Sequence, residues 1–177
     1  MTEENPRPAA DSITSEWLVQ AALGYLKSYE TTTGHLRVVL ERKIRRRLRG
    51  TETDLSEFHA EIDAAIAYCT ERNYVDDRRF VELFIENALR TGMSLRKIDG
   101  KLRQKQIDPE QYRDVIDEAE YDELEAAIAF ARKKRVGAFR PEDQDQYRQK
   151  DMAKLARQGF GYDICRRIVE ENFADED

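Results

Sequence analysis

Cysteine and histidine are scarce in this 177-residue sequence, with two of each. Cys69 and Cys165 each stand on the apolar face of an expected helix, where a thiol is a small buried hydrophobe, and no CxxC pair suggests zinc. His35 abuts a turn and His59 sits near a helix start; neither has a Ser, Cys or paired carboxylate at a spacing that supports catalysis. Phosphate-cradling loops are missing too, since Gly159 and Gly161 fall between helices with no strand ahead of them. No catalytic set, cofactor or metal is therefore expected, and the chain reads as a binding protein and not an enzyme. No apolar run reaches membrane-spanning length, and the polar N-terminus is no signal peptide. A cytoplasmic monomer without a membrane partner is expected.

Helix breakers are scarce as well, with eight glycines and four prolines. Charged residues make up 37% and hydrophobic residues 40%, much of it in the strong helix formers Ala, Leu, Glu, Lys, Arg and Gln. No stretch alternates apolar and polar residues, so no strand is expected. The reading is all-α, with nine helices joined by short turns. Asp54-Leu55-Ser56-Glu57 has the form of a capping box, Asp76 and Ser94 read as N-caps, and Asp108-Pro109 opens a further helix. Phe80, Leu83, Phe84 and Leu89 are the expected apolar positions of the fourth helix. Gly50 is expected to end the second helix.

The helices repeat. Lys101-Leu102-Arg103-Gln104-Lys105-Gln106-Ile107 is echoed by Lys154-Leu155-Ala156-Arg157-Gln158-Gly159-Phe160. The same register sets Tyr112, Val115 and Ile116 over Cys165, Ile168 and Val169, and a weaker echo sets Leu36 and Leu40 over Ile98 and Leu102. Three tandem three-helix repeats are expected, over 15–73, 74–119 and 120–173, between a disordered leader (1–14) and an acidic tail (174–177). Each is too small to bury a good core alone, so neighbours should stack into an elongated, curved array.

The net charge of −6 argues against indiscriminate coating of nucleic acid, but its distribution is uneven. Acids crowd the ends, and bases gather on the middle helix of each repeat. Arg42, Arg45, Arg46 and Arg49 fall opposite the apolar stripe of the second helix, whereas Arg47 falls on its core side, where fraying is expected. Lys97, Lys101 and Lys105 line up at i, i+4, i+8 on the fifth helix beside its core stripe, and Arg96 and Arg103 flank the other side. Lys150, Lys154 and Arg157 mark the eighth, and Arg166 and Arg167 the ninth. Like charges so close cost a few tenths of a kcal/mol per pair. Their recurrence on three equivalent helices points to a polyanion or an acidic protein groove. Base-reading and stacking motifs do not accompany them.

Tyr74-Val75-Asp76-Asp77-Arg78-Arg79-Phe80 resembles the GYLDDxRF segment of the RecX family of bacterial RecA regulators. Arg96-Lys97-Ile98 with Leu102-Arg103-Gln104-Lys105-Gln106-Ile107 is similar to the family's RIRxELxxKGI, and Lys154 to Phe160 to its fLxxRGF. Asn73 stands where the family usually has Gly, and Gln106 replaces a turn Gly. The resemblance covers about residues 18–172. It implies tandem three-helix repeats, no catalytic centre, and binding to RecA and the RecA–single-stranded DNA filament that blocks filament extension. The basic stripes would supply those contacts, with weak direct DNA binding as a further expectation; an autonomous DNA-binding protein is the alternative.

Overall fold

The computed structural model describes residues 12–49 and 52–170, and among them it is all-helical. The helices are α1 (Ser15–Leu26), α2 (Thr33–Arg47), α3 (His59–Glu71), α4 (Asp77–Thr91), α5 (Leu95–Gln104), α6 (Arg113–Glu118), α7 (Glu123–Lys134), α8 (Gln144–Gln158) and α9 (Tyr162–Glu170). They form three-helix repeats, α1–α3, α4–α6 and α7–α9, whose middle members are α2, α5 and α8. Most of the expected leader, Gly50 and the acidic tail lie outside the described residues. Ile13, just ahead of α1, is buried, and the Thr14 hydroxyl caps that helix by accepting from Trp17 N.

Two compact units result. Residues up to Phe80 together with Lys105–Ile107 make the first, and Val81–Gln104 with the residues from Asp108 onward make the second. In the first, α1 packs chiefly on α3, and Leu18, Ala22, Leu36, Leu40, Ile44 and Ile62 form the buried centre. The fully buried α1 positions are Leu18 and Ala22, while Trp17, Ala21 and Tyr25 pack at the edge. Large aromatic rings are suited to that edge, where one side packs and the other stays wet. α2 does not fray at Arg47: its guanidinium lies 4.6 Å from the Trp17 ring centroid and bonds Ser12 Oγ at 3.1 Å. A core-side arginine is accommodated because its stem packs and its head stacks.

In the second unit α8 packs on α9, with Ala127, Phe130, Leu155, Phe160 and Ile168 at the centre. The buried stripe of α4 is Val81, Ile85 and Ala88, not the expected one; Leu83 is 48% exposed and Phe80, Phe84 and Leu89 are half-buried. Bulk misled here, because the i, i+4, i+7 spacing of smaller residues fits close helix packing. Of the register pairs, Val115 and Ile168 are buried in both repeats, whereas Cys165 is buried opposite half-buried Tyr112 and Ile116 opposite half-buried Val169. The register also sets Asp151 at the position of Ile98 and Leu36. Asp151 is buried, and it accepts from Gly137 N at 2.9 Å and from Arg140 Nε and Nη2 at 2.9 and 2.7 Å. Burial pushes its carboxyl up, but those bonds and the charges of Arg140 and Lys154 outweigh this and hold it below the ordinary value.

Candidate functional site

The caps expected from sequence form. Asp54 and Glu57 make a reciprocal capping box, and Asp76 accepts from Arg79 N at 3.0 Å. Asp77 has a different role: it accepts from both the amide and the hydroxyl of Thr33, at 2.7 Å each, at the start of α2. The two adjacent carboxylates therefore satisfy two different helix N-termini. The next repeat does the same with Asp122 and Glu123. Asp122 caps α7 by accepting from Leu124 N and Glu125 N, and Glu123 accepts from the backbone of Leu95 at the start of α5.

A second device recurs at the N-caps of α2 and α5. Thr32 accepts from His35 N and donates its hydroxyl to the carbonyl of Lys105. Ser94 accepts from Lys97 N at 3.3 Å and donates to the carbonyl of Gln158, the last residue of α8, at 2.6 Å. In the repeat register Thr32 matches Ser94 and Lys105 matches Gln158, so this is one joint built twice, the first wholly within the first unit and the second wholly within the second. Each joint is so close that one side must lack a Cβ. At the first it is Gly34, where an added Cβ would meet the Cβ and carbonyl oxygen of Gln106. At the second it is Gly159, with φ of +100°, where a Cβ would meet Ser94 Oγ and the Cβ of Arg96.

The sequence-expected bases separate by surroundings. On α2, Arg42, Arg45 and Arg46 are exposed, as is Arg49 just beyond it. Arg45 pairs with Glu41 at 3.4 Å, and the neighbouring Arg37 pairs with Asp63. At the first joint His35 lies near Lys105 and Arg42; its burial, and then those two charges, hold the imidazole below its ordinary value. Lys105 also approaches the Phe80 ring, with Nζ 5.9 Å from the centroid.

At the second joint Arg96, Lys97 and Arg157 converge. With Ala156, Gln158 and Gly159 they line an open pocket of about 330 Å³ that contains no acid. Lys97 Nζ donates to the neutral Gln158 side chain at 2.5 Å, and Arg157 Nε to its own helix at Ala153 O, 3.1 Å. Lys101 and Arg103 continue along α5, and Lys154 and Lys150 along α8, where Lys150 Nζ stands 4.9 Å from the Tyr147 ring centroid. Arg166 and Arg167 are exposed on α9 and do not line the pocket. Among the described residues no group of His, Cys, Asp and Glu is placed to hold a metal, and no helix is long and apolar enough to cross a membrane. Both cysteines are buried and free, and burial pushes their thiols up. What this surface offers chemically is fixed positive charge on rigid elements.

Comparison with known proteins agrees with this architecture. Residues 76–119 match the family model of the second three-helix domain of RecX, and residues 120–169 that of its third. The chain is 32% identical over 164 residues to a protein of Myxococcus xanthus named regulatory protein RecX, covering 90% of this chain and 88% of that one. Proteins of the same name from Stenotrophomonas maltophilia and Agrobacterium fabrum are 34% and 27% identical, over 85% and 86% of this chain and 84% and 82% of theirs.

Proposed function

Because the chain belongs to the RecX family of regulatory proteins, we propose that it binds RecA and the RecA–single-stranded DNA filament in the cytoplasm, limits filament extension, and so restrains recombination and the SOS response. It acts by occupying a surface and not by catalysis; its relatives are named regulatory proteins, not enzymes. The observation that carries this reading beyond the family is the acid-free convergence of Arg96, Lys97 and Arg157, continued by Lys101, Arg103, Lys150 and Lys154. A filament groove presents acidic protein surface and DNA phosphates together, and a rigid cationic face suits it. Arg42, Arg45, Arg46, Arg49, Lys105, Arg166 and Arg167 are proposed as supporting contacts. The test is RecA's single-stranded-DNA-dependent ATP hydrolysis with this protein added well below one copy per RecA. Inhibition supports the proposal, and an unchanged rate sinks it.

A further inference from the structure

We infer that the pocket at the second joint is a phosphate site, so that the face made by α5 and α8 meets a nucleic-acid backbone and not the acidic side chains of a protein. The inference rests on the function proposed above and assigns one ligand to one part of it.

Three cations surround the pocket and no acid lines it. The carbonyl end of α8 accounts for some of that charge, since cations are favoured at helix C-termini. It does not account for all of it: among the described residues Arg96 has neither a hydrogen bond nor an ion pair, and Arg157 commits only Nε. Two guanidinium forks beside one ammonium match a phosphate, which accepts two parallel bonds from each fork. The joint fixes their spacing, because the Ser94 bond to Gln158 O and the missing Cβ of Gly159 hold the start of α5 against the end of α8.

The charge pattern decides between phosphates and carboxylates. Arg96 and Lys97 lead to Lys101, and Arg157 leads to Lys154 and Lys150, at roughly one base per helical turn, or about 5 to 6 Å. The acids of these helices are engaged elsewhere: Asp99 faces Arg113 at 3.8 Å and Asp151 is held by Arg140, leaving only Asp145 at the far end of α8. A run of bases without interruption fits a ligand whose charge repeats along its length, which a DNA strand has and a folded acidic surface does not. No aromatic side chain lines the pocket, so it holds backbone and does not stack bases. In the first unit Arg37 and Arg45 are paired with acids and Arg47 lies on Trp17, whereas Arg42 and Arg46 are exposed.

The experiment compares the full chain with the double variant Arg96→Gln/Arg157→Gln and with Lys133→Gln/Lys134→Gln, which removes the same charge from exposed α7 positions. Binding to a fluorescent oligothymidylate is measured across a salt series. The pocket variant should lose about tenfold in affinity, and its log–log salt slope should fall by about 0.7, the value for one single-strand phosphate contact. The α7 variant should change by less than about threefold. Arg96→Lys, which keeps the charge and loses the fork, should fall between. An equal loss in the α7 variant overturns the proposal. So does polyglutamate binding as tightly as the oligonucleotide with the same dependence on Arg96 and Arg157. If RecA ATP hydrolysis is inhibited but oligothymidylate binding ignores the pocket, this inference fails and the proposed function stands. If binding needs the pocket but hydrolysis is untouched, the proposed function fails and this inference stands.

Discussion

The two joints use the same hydroxyl-to-carbonyl bond and finish it differently. At both, a carboxylate answers the helix start, Asp77 at Thr33 and Glu123 at Leu95, but at the first a partly buried imidazole lies near Lys105 and Arg42. At the second, the position of His35 is taken by Lys97, the position of Gly34 by Arg96, and a glycine moves to the other side. The second is closed in its backbone and open in its charge. A repeated scaffold thus exchanges which side gives up its Cβ, and at the second copy three cations gather around a pocket that no acid lines.

The strongest way to break this comparison is to add the missing Cβ. Alanine at Gly34 gains up to about 1 kcal/mol of helix propensity. It also forces contact with a Cβ and a carbonyl oxygen that cannot swing away, and overpacking of that kind costs about 1 to 3 kcal/mol. Gly34→Ala should therefore lose about 2 kcal/mol in urea unfolding, with part regained in Gly34→Ala/Gln106→Gly. Gly24→Ala in α1, where nothing lies within 4 Å of the new Cβ, should instead gain about 1 kcal/mol. Equal signs at the two glycines would remove the close-approach argument.

A smaller effect should follow from Ser94→Ala. Ser94 is fully buried, and its hydroxyl both caps α5 and bonds Gln158 O. Loss of the cap together with an unanswered carbonyl should cost about 1 to 2 kcal/mol. If the pocket depends on the joint, salt-dependent oligonucleotide binding should weaken alongside stability, although no charge has changed. A full stability loss with unaltered binding would separate the joint from the pocket.

Much of this was legible in the residues. Asp54, Asp76, Ser94 and Asp108 announce helix starts because a short polar side chain before an apolar run has few other uses. The register pairs Lys101 to Ile107 with Lys154 to Phe160, one segment in each of the two matched RecX three-helix domains. It also puts Asp151 beneath Ile98, so a charge fills an apolar position and must have a buried partner. Outside that register, Asp122-Glu123 echoes the adjacent carboxylates Asp76-Asp77. Asn73 and Gln106 stand where RecX sequences usually have glycine, and both adopt positive φ, 55° and 60°. Those glycines answer a left-handed backbone, which Asn tolerates better than Gln. What periodicity misjudged was the face of α4, since Val81, Ile85 and Ala88 win the core over bulkier neighbours. The site was legible only as exposed charge. That Arg96 and Arg157 share a pocket follows from a bond between residues 64 apart in sequence, which no local pattern encodes.

The least disruptive way to tell the joints apart is pH. His35 sits at the first joint with burial, Lys105 and Arg42 all disfavouring its charged form, so its folded pKa lies below the ordinary 6.5. A histidine with a lowered folded pKa takes up its proton more readily when unfolded. Stability is then intact above pH 6.5 and declines as pH falls from there toward the folded value. The second joint has Lys97 at this position and no histidine. The stability of the first unit, followed through the fluorescence of Trp17 on unfolding, should fall between pH 7 and pH 5.5 by an amount that His35→Gln removes. The change should be the smallest of the three, because His35 is only half-buried and its cationic neighbours are screened by salt. The same titration leaves the Ser94–Gln158 joint unaffected, so a His35-dependent shift in oligonucleotide affinity would show that charge at the two joints is coupled and would undo the division of labour between them.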